Sequence, residues 1–207
     1  MELTLLDLVS RGGWLMYVLY ALSIASFIIF FERYFKVRKI KQIDDKAFAE
    51  INMLIKSKQL DQAIRLAESG NNHFSEILKK SIPYIKTDKS LAMEAIEQGG
   101  TKVVRNLEKN ITTIATISNV APLVGFLGTV TGMIQVFIKL QQAKAGVDIQ
   151  LLAGGIWEAL LTTVGGLIVG IISLLFYNYL VSKIEQIAAD LEDKSNEIIF
   201  HIKGLDL

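Results

Sequence analysis

The 207-residue sequence has no cysteine, two histidines and two prolines. Without cysteine there is no disulfide scaffold, no thiolate metal site and no cysteine nucleophile. His73 and His201 are isolated from each other, with no ligand cluster around either, so no metal site is expected. No Ser-His-Asp grouping falls at a shared depth in an apolar run, which argues against an intramembrane protease. A G-x-x-x-x-G-K-[ST] phosphate loop is missing, and with it the familiar way of hydrolysing nucleotide. No other nucleophile, base or cofactor site is recognisable, so an enzyme in the ordinary sense is not expected. Excess charge is missing too. Lys and Arg number 22 against 21 Asp and Glu, a formal net charge of +1, and this balance gives no reason to expect nucleic acid as a partner. There is no strand pattern, no low-complexity tract and no repeat beyond three apolar runs.

Those runs are what the sequence does have. Hydrophobic residues make up 51% of the chain, and its mean hydropathy is +0.39. Trp14 to Phe31 is 18 residues without a charge, and Ile111 to Ile138 is 28. From Ile149 to Ser182, Glu158 is the only charged residue among 34. A bilayer core of about 30 Å takes roughly 20 apolar helical residues, so each run qualifies as a span and a soluble enzyme is excluded. The first run is not expected to be a cleaved signal peptide, because its N-terminal flank is not basic and 26–35 offers no small-residue cleavage site. Its C-terminal flank is basic instead, with Arg33, Lys36, Arg38, Lys39 and Lys41. Positive residues stay in the cytoplasm, so the N-terminus is expected outside. Contact of this cluster with anionic lipid headgroups is a second reading.

The expected fold is an all-α integral membrane protein with three transmembrane helices. Residues 1–13 read as an outer interfacial arm, 14–31 as the first span and 32–110 as a cytoplasmic helical domain. Residues 111–138 read as the second span with a cytoplasmic extension, 139–148 as an outer loop, 149–182 as the third span and 183–207 as a cytoplasmic C-terminal helix. Twenty-eight helical residues cover about 42 Å, more than the hydrocarbon, so long helices are expected to extend into the cytoplasm.

Within 32–110 the apolar spacing predicts short helices. Asp44-Asp45 can cap one carrying Phe48, Ile51, Leu54 and Ile55. A second, with Leu60, Ile64 and Leu66, stops at Gly70-Asn71. A third carries Phe74, Ile77, Leu78 and Ile82, with Pro83 disturbing its end. Thr87 or Asp88 caps a fourth, with Leu91, Ala95 and Ile96 inward. Gly99-Gly100 is expected to interrupt it, and Thr101 to Asn110 to run straight into the second span. In the tail, Ile184, Ile187, Ala188, Leu191, Ile198 and Ile202 follow three-and-four spacing.

Two stretches inside the spans carry the candidate chemistry. In the second span, Ala121, Gly125, Gly128 and Gly132 recur at i, i+4, i+7 and i+11, a small-residue face that lets helix backbones approach closely. Pro122 removes a donor and frees the carbonyl of Ser118, so this side belongs against protein or a wet path. In the third span, Glu158, Thr162, Thr163, Gly166, Gly170, Ser173 and Tyr177 share one side. A threonine there can simply bond back to its own helix, but Thr129, Thr162 and Thr163 at similar depth suggest more. Glu158 is the only ionisable residue inside a span. An intramembrane acid usually marks an ion path, and pairing near the outer interface is the other reading, equally weighted.

The stretches Ala121-Pro-Leu-Val-Gly-Phe-Leu-Gly-Thr-Val-Thr-Gly-Met133 and Gly155-Ile-Trp-Glu-Ala-Leu-Leu-Thr-Thr-Val-Gly-Gly166 resemble the ExbB/TolQ proteins, with the flagellar stator subunit MotA a more distant relative. Within that family the chain looks most like ExbB. The resemblance implies a homopentamer around a central pore in the bacterial inner (cytoplasmic) membrane, housing single-span ExbD/TolR-like subunits. It also implies coupling of the proton motive force to a TonB/TolA-like, periplasm-spanning protein. Thr129 and Thr163 fall on the family's ion-pathway threonines and Glu158 on its third-span acid. Ala121, Pro122, Gly125, Gly128, Gly132, Gly166 and Gly170 would form the pore packing. Thr131 replaces a common bulky aromatic, and Thr162 adds a further hydroxyl. Extra oxygen ligands suit a hard cation, so sodium stands beside protons as a coupling ion. A scaffold and a stand-alone ion channel are the competing classes.

Overall fold

The computed structural model describes residues 13–40, 45–70, 72–142 and 149–204. The outer arm apart from Gly13, and 143–148 of the expected loop, lie outside the described residues. Seven α-helices and no strand occur among the described residues: α1 (Gly13–Lys39), α2 (Asp45–Lys56), α3 (Leu60–Ser69), α4 (His73–Ile85), α5 (Lys89–Glu108), α6 (Ile111–Gln142) and α7 (Ile149–Lys203). Among the described residues, three helices are long and apolar enough to cross a membrane. The helices form two compact units, one of Met1–Glu32 with Asn110–Tyr179 and one of Arg33–Lys109 with Leu180–Leu207.

The second unit is built on a conventional apolar core. Phe48, Ile51 and Ile55 of α2, Leu60 and Ala63 of α3, Phe74, Leu78 and Ile82 of α4, Ala92 and Ile96 of α5, and Leu191, Ile198 and Ile202 of α7 are buried together. The helix ends follow local chemistry. Asn72 accepts a hydrogen bond from the Ser75 amide at 2.7 Å, and Asp88 rather than Thr87 caps α5, accepting from the Ser90 amide at 2.8 Å. At the end of α2, Gln59 N–H donates to Leu54 O and Lys58 N–H to Ile55 O, with Lys58 left-handed at φ 61°. That is a Schellman ending with lysine where glycine is usual.

Three expectations are corrected here. Gly99-Gly100 does not interrupt α5, which is continuous. A Cβ on Gly99 would meet Ile77 of α4 at 2.9 Å, so this glycine serves close approach. Leu91 is exposed, because Ala92, Ile96 and Gly99 form the face turned to α4. The helix ending at Glu108 does not run straight into the second span: Lys109 is extended and Asn110 is left-handed at φ 63°, a conformation asparagine tolerates well. The third span and the tail are one helix of 55 residues, with no glycine or proline between Gly170 and Gly204 to end it. Pro83 sits in the last turn of α4, which ends two residues later.

In the first unit α6 and α7 meet through small residues, and α1 packs alongside. Met16 and Leu19 of α1 are buried with Ala121. A Cβ on Gly165 would meet Met16 Sδ at 3.1 Å, so that glycine lets α1 lie close to α7. Phe30 stacks on Phe176 with ring centroids 3.9 Å apart.

Candidate functional site

The glycines form a seam between α6 and α7 of one chain. A Cβ on Gly125 would stand 3.1 Å from the Cα of both Thr163 and Gly166. On Gly166 it would stand 2.6 Å from the Ala121 carbonyl oxygen, and on Gly170 2.7 Å from the Pro122 ring and 3.0 Å from the Ser118 oxygen. Glycine's hydrogen takes the Cβ direction, so at Gly166 and Gly170 a Cα–H points at a carbonyl oxygen, a weak favourable contact. The carbonyl freed by Pro122 therefore meets Gly170 across the seam. Farther along, Thr162 fills the notch over Gly128, Gly132 faces the Ala159 methyl at 2.8 Å, and Val136 fills the notch over Gly155. Ala121, Gly125, Gly128, Gly166 and Gly170 are buried within this single-chain contact, so these positions hold the two helices together.

The seam brings Thr129 and Thr163 together, with hydroxyl oxygens 3.1 Å apart. Thr163 also lies 2.9 Å from the Gly125 carbonyl and Thr129 2.7 Å from the Phe126 carbonyl. Each hydroxyl owns one proton. If Thr163 donates to Gly125, Thr129 can donate to Thr163 or to Phe126; if Thr129 donates to Phe126, Thr163 can turn to either partner. The pair therefore has several proton arrangements of similar geometry, separated only by hydroxyl rotations. Both threonines are half-buried.

Thr162 is placed differently. It is 2% exposed, and its hydroxyl donates to the Glu158 carbonyl one turn back. Thr131 likewise donates to Leu127 O at 2.9 Å. The two hydroxyls beyond the family pattern thus both bond within their own helices. Glu158 itself lies exposed, with its carboxylate oxygen 2.6 Å from where a Cβ on Gly13 would stand. Gly13 opens α1 with φ +65°, a backbone that favours glycine. The carboxylate thus abuts the positive end of the α1 dipole, and Glu158 is not brought to the threonine pair.

Ser26 and Gly165 escaped the sequence reading, which singles out only the partner Ser173 and the adjacent Gly166. Ser26 and Ser173, each 1% exposed, share a 2.8 Å hydrogen bond between α1 and α7; an interhelical hydroxyl pair shows no periodic signal. Gly165 and Gly166 look alike in sequence, but at about 100° per residue they face α1 and α6 respectively. Among the described residues no cluster of three metal-ligating side chains occurs.

The MotA/TolQ/ExbB proton channel family model matches residues 57–193, which contain both motif stretches. A biopolymer transport ExbB homolog of Methanothermobacter thermautotrophicus is 28% identical over 183 residues, which are 88% of this chain and 64% of that protein. An ExbB-like biopolymer transport protein of Synechocystis is 36% identical over 185 residues, 86% of this chain and 71% of that protein. The Tol-Pal system protein TolQ of Haemophilus influenzae is 34% identical over 98 residues, 47% of this chain and 42% of that protein. The family is one of proton channels and not of enzymes, and with three membrane-capable helices it describes a multi-pass protein of the inner membrane. The chain belongs to the MotA/TolQ/ExbB proton channel family and within it is most like ExbB.

Proposed function

We propose that this chain is the channel-forming, ExbB-like subunit of an ion-motive-force-driven motor. Its N-terminus lies outside, and five copies surround the single spans of ExbD/TolR-like subunits. Those subunits pass the work to a TonB-type, periplasm-spanning protein for outer-membrane transport. The observation that carries this reading is the Thr129–Thr163 pair, held by a glycine seam yet only half-buried. A partner carboxylate lying against the pair would gain a hydroxyl donor when ionised, offsetting part of its desolvation. When that carboxylate is protonated, the hydroxyls turn back to Gly125 and Phe126. A membrane potential supplies about 2.3 kcal/mol per charge per 100 mV, which sets the work available per ion.

Protons are the proposed coupling ion. Sodium stays the alternative: the extra hydroxyls of Thr131 and Thr162 donate to their own helices, which leaves their oxygen lone pairs as ligands. Ion-driven activity unchanged between sodium-free and sodium-containing buffer would remove it. Similarity to TolQ supports a second reading, a subunit for envelope maintenance, with the same chemistry and different partners.

The testing experiment is affinity purification of the chain from its native membrane, with mass spectrometry of the intact complex. A pentamer carrying a single-span protein with an intramembrane Asp supports the motor, and the next co-purifying protein separates the TonB from the Tol route. A stable oligomer without such a partner refutes it, leaving a scaffold or a stand-alone channel. Thr129→Ala with Thr163→Ala is expected to abolish energised function while the assembly stays intact; an active double variant removes the hydroxyl path.

A further inference from the structure

Helix α1 carries an outward stripe whose chemistry changes abruptly along its length. Tyr17, Ile24, Ile28, Phe31 and Phe35 are exposed and recur at i, i+7, i+11, i+14 and i+18, one face of a continuous helix. Arg38 and Lys39, also exposed, complete the same face three and four residues beyond Phe35. The opposite side is closed: Arg33 is 2% and Val37 8% exposed, with Arg33 donating to the Asn106 carbonyl at 3.2 Å. The guanidinium of Arg38 is steadied by its own helix, donating to the Tyr34 hydroxyl at 3.3 Å and lying 5.9 Å from that ring's centre. Its remaining N–H donors suit an anionic oxygen acceptor such as a phosphate.

We propose that Arg38 and Lys39 bind the phosphate of an anionic phospholipid whose acyl chains lie along Ile24, Ile28, Phe31 and Phe35. Three features select this occupant. One face joins an apolar stripe to a cationic end, as a single phospholipid does. Arg38 lies seven residues beyond the last residue of the uncharged run, about 10 Å along a helix, which is the headgroup layer. Long cationic side chains reach back to phosphates from just beyond the hydrocarbon. A zwitterionic lipid satisfies the apolar stripe but brings its own cation to the same place. This lipid site is independent of the motor reading, since it needs neither Thr129, Thr163 nor a partner chain.

The test uses the full chain in nanodiscs of equimolar dioleoylphosphatidylglycerol and dioleoylphosphatidylcholine, followed by detergent extraction and native mass spectrometry of retained lipid. The wild type is expected to retain the anionic dioleoylphosphatidylglycerol in clear excess. Arg38→Gln with Lys39→Gln should lower that preference roughly thirtyfold, on the scale of two basic groups at an anionic surface. Lys56→Gln with Lys80→Gln, removing exposed charges on α2 and α4, should leave it unchanged. Equal retention of both lipids by the wild type overturns the site whether or not the variants fold. So does an unchanged preference in the Arg38/Lys39 variant, or an equal loss in the Lys56/Lys80 control.

Discussion

Gly166→Ala tests whether the seam, and not merely the hydroxyls, makes the site. The added methyl would stand 2.6 Å from Ala121 O, 2.8 Å from Gly125 Cα and 3.0 Å from Gly125 N, where ordinary contact begins at 3.4 Å. All three atoms are backbone, so no side chain can rotate away and the helices must part by about 0.8 Å. Overpacking of this kind costs about 1–3 kcal/mol, and the better helix propensity of alanine returns at most ~1 kcal/mol. The net loss should lower Tm by a few degrees. Function should suffer far more. Thr163 lies one turn away, and the same separation stretches its 2.9 Å bond to Gly125 and its 3.1 Å contact with Thr129 past the roughly 3.5 Å at which a hydrogen bond is lost. The assay is ion-driven activity in cells beside thermal stability of the purified oligomer, with Gly154→Ala, which meets nothing within 4 Å, as comparison. A Gly166→Ala protein that matches Gly154→Ala in both readouts would refute the seam.

In α5, Gly99→Ala should destabilise, since its methyl meets Ile77 at 2.9 Å, whereas Gly100→Ala meets nothing and should stabilise by about 0.4–1 kcal/mol; thermal melts of the two variants decide. Ser26→Ala should cost about 0.6 kcal/mol, and the double change with Ser173→Ala should cost less than the two singles together, read as a double-mutant cycle. The pKa of Lys194 gives a pH test: burial pulls it down, but hydrogen bonds to Asp45 and Asp190, with the attraction of both carboxylates, outweigh burial and hold it above the ordinary 10.5. A raised folded value means the contribution is complete below that ordinary value and is lost as pH rises through the folded one. Lys194→Met should therefore flatten the decline in stability above about pH 10.5, and an unaltered alkaline limb would count against the Lys194 network.

Much of the architecture was legible in one dimension because it depends on local sums. Runs of 18 and 28 uncharged residues dictate helices that cross lipid, whatever they pack against. Three-and-four spacing located the buried faces of α2, α4 and the end of α7, and Asp88 announced a helix start. The same local reasoning misjudged Gly99-Gly100 as a break and missed the left-handed Asn110. A glycine's role depends on what lies across from it, and a single reversed φ leaves no pattern in composition.

By itself the sequence determined three apolar helices, an all-α chain, the small-residue faces and the threonines at matching depth. Only the tertiary structure decided that Thr163 joins Thr129 while its neighbour Thr162 fills the notch over Gly128. It alone placed the Glu158 carboxylate against Gly13, and it alone divided Gly165 and Gly166 between two partners. The physical reason is angular. Adjacent helical residues point about 100° apart, so roles change completely between neighbours, and only the position of the facing helix says which one is chosen.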